Sequence, residues 1–264
     1  MLWVDYVDYA ERLLASGVLP WADVTGTVAW YRQAQGLLGS DVVVIPLWSI
    51  VAHLVTTIPS LPEQMRAKPR VTHGLRAALS NDAVRDTSTG LARALRAVFP
   101  QALLAVTIPM PRLAIERARR AASGAPEEVT IGEDEIETVA PYLANFLRGF
   151  GDVGVDVLLL EASSPDKDAG PGELRWCTSV LNTARHYGWD VGISARSADV
   201  EHSTSDIDFV IVRSETTSAG DLHPQPVRMA GSTGAAAFSF LAVPRDAAPE
   251  RVLEALGRYR VGAG

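Results

Sequence analysis

The amino-acid sequence predicts an α/β protein, specifically a single (β/α)8 barrel of the TIM type over residues 1–264. Short apolar segments alternate with amphipathic helical segments along the chain, which is typical of a parallel sheet covered by helices. The clearest strand pattern covers residues 155–160, whose nearly continuous apolar run suits a strand buried on both faces. No long linker or shift in composition divides the 264 residues into two halves.

In the first half of the chain, apolar residues at helical spacing predict five helices, and short continuous apolar runs predict two strands. Residues 1–40 are predicted to be a helical extension that precedes the first strand. Residues 49–70 contain three prolines and are given no regular element. The predicted helices cover residues 2–16, 27–38, 71–79, 84–98 and 113–123, and the predicted strands cover residues 41–47 and 102–108.

The second half continues the alternation, with helices predicted at 135–150, 172–187 and 249–259 and strands at 155–160, 189–194, 207–212 and 235–243. Residues 214–234 are rich in Ser, Thr, Gly and Pro. Only residues 226–229 suggest a brief strand there, so the barrel unit near 213–234 is predicted to be degenerate or missing. An open, doubly wound sheet is the alternative, although the glycine-rich dinucleotide fingerprint that would favour it is absent after the first strand.

Charge and composition exclude some classes of function. The net charge of -7 provides no electrostatic footprint for nucleic acid and does not favour anionic membranes. No apolar stretch approaches the length of about 18 residues that a membrane span needs. Cys177 is the only cysteine, which rules out an intrachain disulfide, and the first residues lack the pattern of a signal peptide. We therefore expect a cytoplasmic protein.

Several candidate site residues follow predicted strands, because ligands bind at the carboxyl ends of strands in parallel α/β folds. Glu161 ends the strand 155–160 and can hold a cation or act as a general base, unless it is only a salt-bridged or solvated strand end. Ser194 ends the strand 189–194. Arg196 follows it and suits a carboxylate or phosphate through its two-pronged guanidinium, or else pairs with Asp199 at the surface.

Two further candidates follow the first predicted strand. Trp48 is suited to line a pocket that accepts an aromatic group. His53 can act as a general acid or base near neutral pH, or is a core residue with satisfied hydrogen bonds. The densest group of potential metal ligands lies near His202 and Asp206, but its spacing does not fit a helical metal motif.

Three segments together resemble the barrel of cobalamin-independent methionine synthase and uroporphyrinogen decarboxylase. They are TIPMPRLAIERA (107–118), VAPYLANFLRGFGDVGVDVLLLEASSP (139–165) and AVPRDAAPERVLEAL (242–256). The resemblance implies a single barrel domain that often pairs into a homodimer. It also matches Glu161 to a glutamate that contacts the substrate's amino group in methionine synthases.

The departures from this family concern its functional residues. The methyltransferase branch binds zinc through cysteines that residues 192–198 and 241–247 lack, so zinc is not expected and no other cofactor is evident. The decarboxylase branch uses a pair of arginines. Arg32 in YRQAQG (31–36) matches the first of them, and Gly36 replaces the second.

These observations lead to one main functional hypothesis and two alternatives. The main hypothesis is an enzyme that acts on a small carboxylated molecule, with or without an aromatic group. By resemblance it is a lyase of the decarboxylase kind, or a one-carbon (methyl) transferase without the usual zinc. The first alternative is a catalytically inactive barrel that serves as a subunit or binding protein. The second is a metal-dependent hydrolase that uses His202 and Asp206.

Overall fold

The computed structural model describes residues 1–15, 19–123, 130–162, 171–195, 206–213, 222–230 and 236–262. Within these residues the chain has the predicted α/β class. It contains a five-stranded parallel sheet, a three-stranded mixed sheet and numerous helices. No helix in the described ranges has both the length and the apolar character needed to cross a membrane.

The strands are short, and most of their residues are buried. In chain order the described part contains β1 (Leu2–Asp5), β2 (Val42–Pro46), β3 (Leu103–Pro109), β4 (Val157–Glu161), β5 (Asp190–Ala195), β6 (Phe209–Val212), β7 (Gln225–Val227) and β8 (Phe238–Ala242).

Helices occupy most of the segments between the first six strands, and another helix follows the last strand. They are α1 (Val7–Leu14), α2 (Val24–Leu38), α3 (Leu47–Thr57), α4 (Leu61–Arg66), α5 (His73–Leu79), α6 (Asp82–Val98), α7 (Pro111–Ser123), α8 (Glu133–Leu147), α9 (Thr178–Tyr187) and α10 (Pro249–Gly262). Short 3-10 helices cover Arg148–Phe150 and Pro171–Cys177.

The five-stranded sheet has the order β2-β3-β4-β5-β6, and all of its strands are parallel. Its register brings the carboxyl ends of neighbouring strands to one edge, where Glu161 of β4 lies opposite Ser194 of β5. In the other sheet, β1 is parallel to β8 and β7 is antiparallel to β8. The helices between β2 and β3, between β3 and β4 and between β4 and β5 provide the crossovers that these parallel connections require.

In the described part of the chain, backbone hydrogen bonds connect the two sheets at two places. At the first, the backbone N–H of Asp41, just before β2, donates to the carbonyl oxygen of Leu2 in β1 at 2.9 Å. The Asp41 carboxylate also accepts the Leu2 N–H at 2.6 Å. At the second, the N–H of Ala230, which follows β7, donates to the carbonyl oxygen of Asp208, just before β6, at 2.6 Å.

Alternate residues of the strands face two different cores, because successive side chains of a strand point to opposite faces. In β2, Val43 and Ile45 belong to the large core formed with the helices, whereas Val42 and Val44 belong to a second core. Both sheets contribute to this second core, which consists of Trp3, Val42, Val44, Ala105, Val157, Leu159, Phe209, Ile211, Val227, Phe238 and Phe240. We call it the inner core.

The helix predicted over residues 2–16 is wrong at its start. Leu2–Asp5 form β1, and helix α1 begins only at Val7. Val4 and Val7 have helical spacing, but Val4 is fully buried in a strand that pairs with β8. The predicted helical extension over residues 1–40 therefore contains a strand that is part of a sheet.

Two other regions differ from, or add to, the sequence prediction. Residues 49–70, left without a regular element, contain most of α3 and all of α4. Pro62 lies in the first turn of α4, where a missing backbone N–H costs nothing. Near 213–234, the described residues contain β7, which is three residues long and antiparallel.

Candidate active site

A cavity of about 400 Å³ lies at the carboxyl ends of the strands. This volume is within the range of small-molecule sites, which are about 300–1,000 Å³. Apolar residues of the inner core, including Trp3, Leu159 and Phe240, form part of its wall. Its polar lining combines three carboxylates, two guanidinium groups and two hydroxyl-bearing strand residues, namely Asp5, Asp8, Glu161, Arg117, Arg213, Thr107 and Ser194.

Glu161, the last residue of β4, is held by contacts to both carboxylate oxygens. Its Oε2 lies 2.6 Å from Nη1 of Arg117 on α7, and its Oε1 accepts a hydrogen bond from Thr107 Oγ1 of β3 at 3.0 Å. The Glu161 side chain is 24% exposed, so it remains accessible from the cavity. A carboxylate fixed in this way has a defined orientation toward a bound molecule.

Arg213, which directly follows β6, connects strands that are not neighbours. Its Nη2 lies 2.7 Å from Oδ2 of Asp5 on β1, and its Nε donates to Ser194 Oγ on β5 at 2.7 Å. The five-stranded sheet contains β5 and β6, whereas β1 belongs to the other sheet. Arg213 thus links the carboxyl ends of the two sheets at the cavity.

Asp8, in the first turn of α1, is a second carboxylate on the Asp5 side of the cavity. Its pKa is raised, first because protein atoms displace water from the carboxylate and then because Asp5 and Glu11 are negatively charged neighbours. Arg213 and Arg245 act in the opposite direction. Asp8 therefore keeps its proton to a higher pH than an ordinary aspartate.

Three residues predicted from the sequence, Trp48, Glu161 and Ser194, line this one cavity. Trp48 is half-buried at the start of α3, directly after β2, and presents an aromatic surface there. Ser194 is buried and accepts the hydrogen bond from Arg213. The rule that ligands bind at the carboxyl ends of parallel strands accounts for all three positions.

His53 and Arg32 are not among the residues that line the cavity. His53 is half-buried on α3, five residues beyond Trp48, and this spacing turns it well away from Trp48 around the helix axis. Arg32 is exposed on α2. Its neighbour Tyr31 is fully buried and donates a hydrogen bond to the carbonyl oxygen of Val44 at 2.6 Å.

The remaining predicted site residues lie elsewhere. Arg196 and His202 are outside the described residues. Asp206 is exposed, and its Oδ1 accepts a hydrogen bond from Arg185 Nη2 at 2.5 Å, so the two side chains form an ion pair. Within the described ranges, no three His, Cys, Asp or Glu residues are grouped as metal ligands would be.

Four charged residues of the cavity were missed by the sequence analysis. Asp5 and Asp8 were assigned to a predicted helix, which concealed that Asp5 ends a strand and that Asp8 lies in the first turn of the helix after it. Arg213 follows the correctly predicted strand β6, so the same positional rule that selected Glu161 could have selected it. Arg117 reaches the cavity from the middle of α7, and no rule that links sequence position to a ligand site covers the middle of a helix.

Comparison of the chain with protein-family models, with curated proteins and with solved structures found no match. Guanidinium groups bind carboxylates, and carboxylates accept or donate protons. The cavity thus combines groups suited to hold a small anionic molecule with groups suited to move its protons.

Proposed function

We propose that the two sheets close into one eight-stranded barrel of the (β/α)8 type, in which β7 is a degenerate antiparallel unit. The contacts between Asp41 and Leu2 and between Ala230 and Asp208 support closure at both seams. The inner core supports it as well, because it draws side chains from both sheets. In such a barrel the cavity occupies the end at which active sites of this architecture are found.

We further propose that the protein is an enzyme that acts on a small carboxylated compound in this cavity. The observation that carries the proposal is the placement of Glu161, which faces the cavity while Arg117 and Thr107 hold its two oxygens. Glu161 serves as the group that accepts a proton or pairs with a cationic centre of the substrate. Trp48 provides a surface for an aromatic substituent.

The class of reaction in this proposal comes from the family resemblance. A divergent member of the uroporphyrinogen decarboxylase and methionine synthase superfamily would act as a lyase of the decarboxylase kind or transfer a one-carbon group. Zinc-dependent methyl transfer is disfavoured, because the cysteine of this chain is poorly suited to bind zinc. Cys177 is fully buried, and burial raises the pKa of its thiol, so a zinc-binding thiolate is disfavoured.

The test is a conversion assay with a panel of small aromatic and aliphatic carboxylic acids, followed by mass spectrometry. For the acid that the wild-type protein converts, Glu161→Gln is expected to lower the rate at least about 100-fold, because proton transfer by a positioned side chain contributes that much or more. The control is Glu133→Gln, which removes the charge of an exposed glutamate paired with Arg175 outside the cavity.

Undiminished conversion by Glu161→Gln would contradict the catalytic role. Binding of acids without conversion by the wild-type protein would instead favour a binding protein or subunit. The resemblance also leads us to propose a cytoplasmic homodimer, and sedimentation of the purified protein measures its oligomeric state. A mass of one chain at micromolar concentration would contradict the dimer.

A further inference from the structure

We propose that Arg213 is the anchor for the carboxylate of the substrate, and that the substrate replaces Asp5 at this guanidinium with uptake of a proton by Asp8. The inference rests on the proposed function, because it takes the cavity as the place where a carboxylated compound binds. It adds the residue that recognises the carboxylate and a coupling between binding and pH.

Arg213 is placed to exchange partners. Its side chain is 45% exposed, and that of its partner Asp5 is 21% exposed. An ion pair this accessible to water contributes little net stability, so an incoming carboxylate can compete with Asp5. The hydrogen bond from Nε to Ser194 holds the guanidinium at the cavity while the exchange takes place.

Arg117, the other guanidinium of the cavity, is less suited to this role. Its partner Glu161 also accepts the hydrogen bond from Thr107, so displacement of Glu161 would break two interactions. Arg117 is also less exposed than Arg213, at 31% against 45%. Arg213 is therefore more accessible to a ligand carboxylate than Arg117, and its partner is more easily displaced. The planar guanidinium of Arg213 can bind both oxygens of that carboxylate.

The coupling to pH follows from the charges that face Asp8. These are Asp5 and Glu11, which disfavour its ionised form, and Arg213 and Arg245, which favour it. A carboxylate bound to Arg213 neutralises one of the two favourable charges. The pKa of Asp8, already raised, then rises further, and Asp8 takes up a proton. Since the complex binds more protons than the free protein, affinity increases as the pH falls.

The first experiment measures recognition of the carboxylate, with benzoate as the probe and benzamide as its uncharged counterpart. Isothermal titration calorimetry of the wild-type protein is expected to show benzoate binding at least about tenfold tighter than benzamide, consistent with a charge-assisted contact. Arg213→Ala is expected to remove this difference, and Arg213→Lys, which keeps the charge without the two-pronged geometry, to restore part of it. Thermal unfolding of each variant verifies that it is folded.

The second experiment measures the affinity for benzoate as a function of pH. The range runs from about pH 8 to about pH 5.5, where the carboxylate of the probe stays ionised. Because binding is accompanied by uptake of at most one proton at Asp8, affinity can rise by no more than about tenfold for each unit that the pH falls. We expect the wild-type protein to gain about three- to tenfold in benzoate affinity toward low pH. Asp8→Asn should give a flat profile, while Asp152→Asn, at an exposed Asp–Arg pair outside the cavity, should retain the slope.

Absence of benzoate binding by the wild-type protein, or equal benzoate affinity in Arg213→Ala, would overturn the anchor. A slope that persists in Asp8→Asn would overturn the coupling. These failures are distinguishable from failure of the proposed enzyme, because loss of conversion in Glu161→Gln is measured with a different variant and a different readout.

Discussion

At the scale of single residues, the pair Gly192 and Phe209 shows how closely the inner core is packed. Gly192 lies in β5 opposite Phe209 of β6. A Cβ atom at position 192 would come within 2.2 Å of the Phe209 ring. The ring thus occupies the space that a side chain of β5 would fill, and it stacks edge-on against Trp3 and Phe238.

We predict that Gly192→Ala destabilises the protein by about 1–3 kcal/mol, because the ring and its neighbours must shift to admit one methyl group. The control is Gly36→Ala on the exposed face of α2, where a Cβ meets no atom within 4 Å. That change should stabilise the protein by about 0.5–1 kcal/mol, since glycine weakens a helix interior. Urea unfolding measures both free energies, and equal effects of the two substitutions would contradict the packing described here.

The residues of the site could be predicted from the sequence only where they lie at the carboxyl end of a recognisable strand or directly after it. Glu161 and Ser194 satisfy this condition, and both line the cavity. Asp5 ends β1, which is too short to stand out from the helical pattern that begins at Val7. Arg117 lies on a helix, and its contact with Glu161 depends on how α7 packs against the sheet, which no local pattern encodes.

At the scale of the elements, three aspartates fix the register of the strands at their amino ends. Asp41, Asp156 and Asp208 each stand directly before a strand of even number. Each carboxylate accepts a backbone N–H at the start of the preceding strand: Leu2 of β1 at 2.6 Å, Leu104 of β3 at 2.7 Å and Val191 of β5 at 2.7 Å. Because a shift of one residue would exchange the two cores, these contacts favour the observed pairing.

We predict that Asp156→Asn costs about 1–3 kcal/mol of stability, because a charged acceptor shared by the Leu104 N–H and the Arg96 guanidinium is lost. Asp152→Asn, a few residues earlier, removes a carboxylate that is 76% exposed and pairs with Arg93. It should cost about 0.5 kcal/mol or less. Thermal or urea unfolding of the two variants gives the comparison, and a similarly small loss for Asp156→Asn would contradict its role at the strand.

The elements that the sequence predicted best are the strands of the parallel sheet, because burial on both faces makes their residues continuously apolar. Helices α3 and α4 were missed because Pro59 and Pro62 were interpreted as breakers, although Pro62 lies in a first turn that tolerates it. The antiparallel direction of β7 could not be predicted from the sequence either. Three residues, one of them Pro226, are too few to show a period.

At the scale of the whole molecule, the inner core and the cavity are continuous. The ring of Trp3 in β1 lies 6.1 Å from that of Phe209 in β6 and 6.0 Å from that of Phe240 in β8. Trp3 and Phe240 also line the cavity, so the side chains that unite the two sheets form part of the wall of the proposed site. The stability of the fold and the shape of the cavity therefore depend on the same aromatic cluster.

The central claim is that two sheets enclose one site for a carboxylated compound. A crystal structure of the protein with bound benzoate is its most direct test. We expect the carboxylate at Arg213, the ring beside Trp48, and β1 hydrogen-bonded to the chain at Asp41 as it is here. Benzoate bound outside this cavity, or a gap between β1 and β2 wide enough to break the contact with Asp41, would contradict the account.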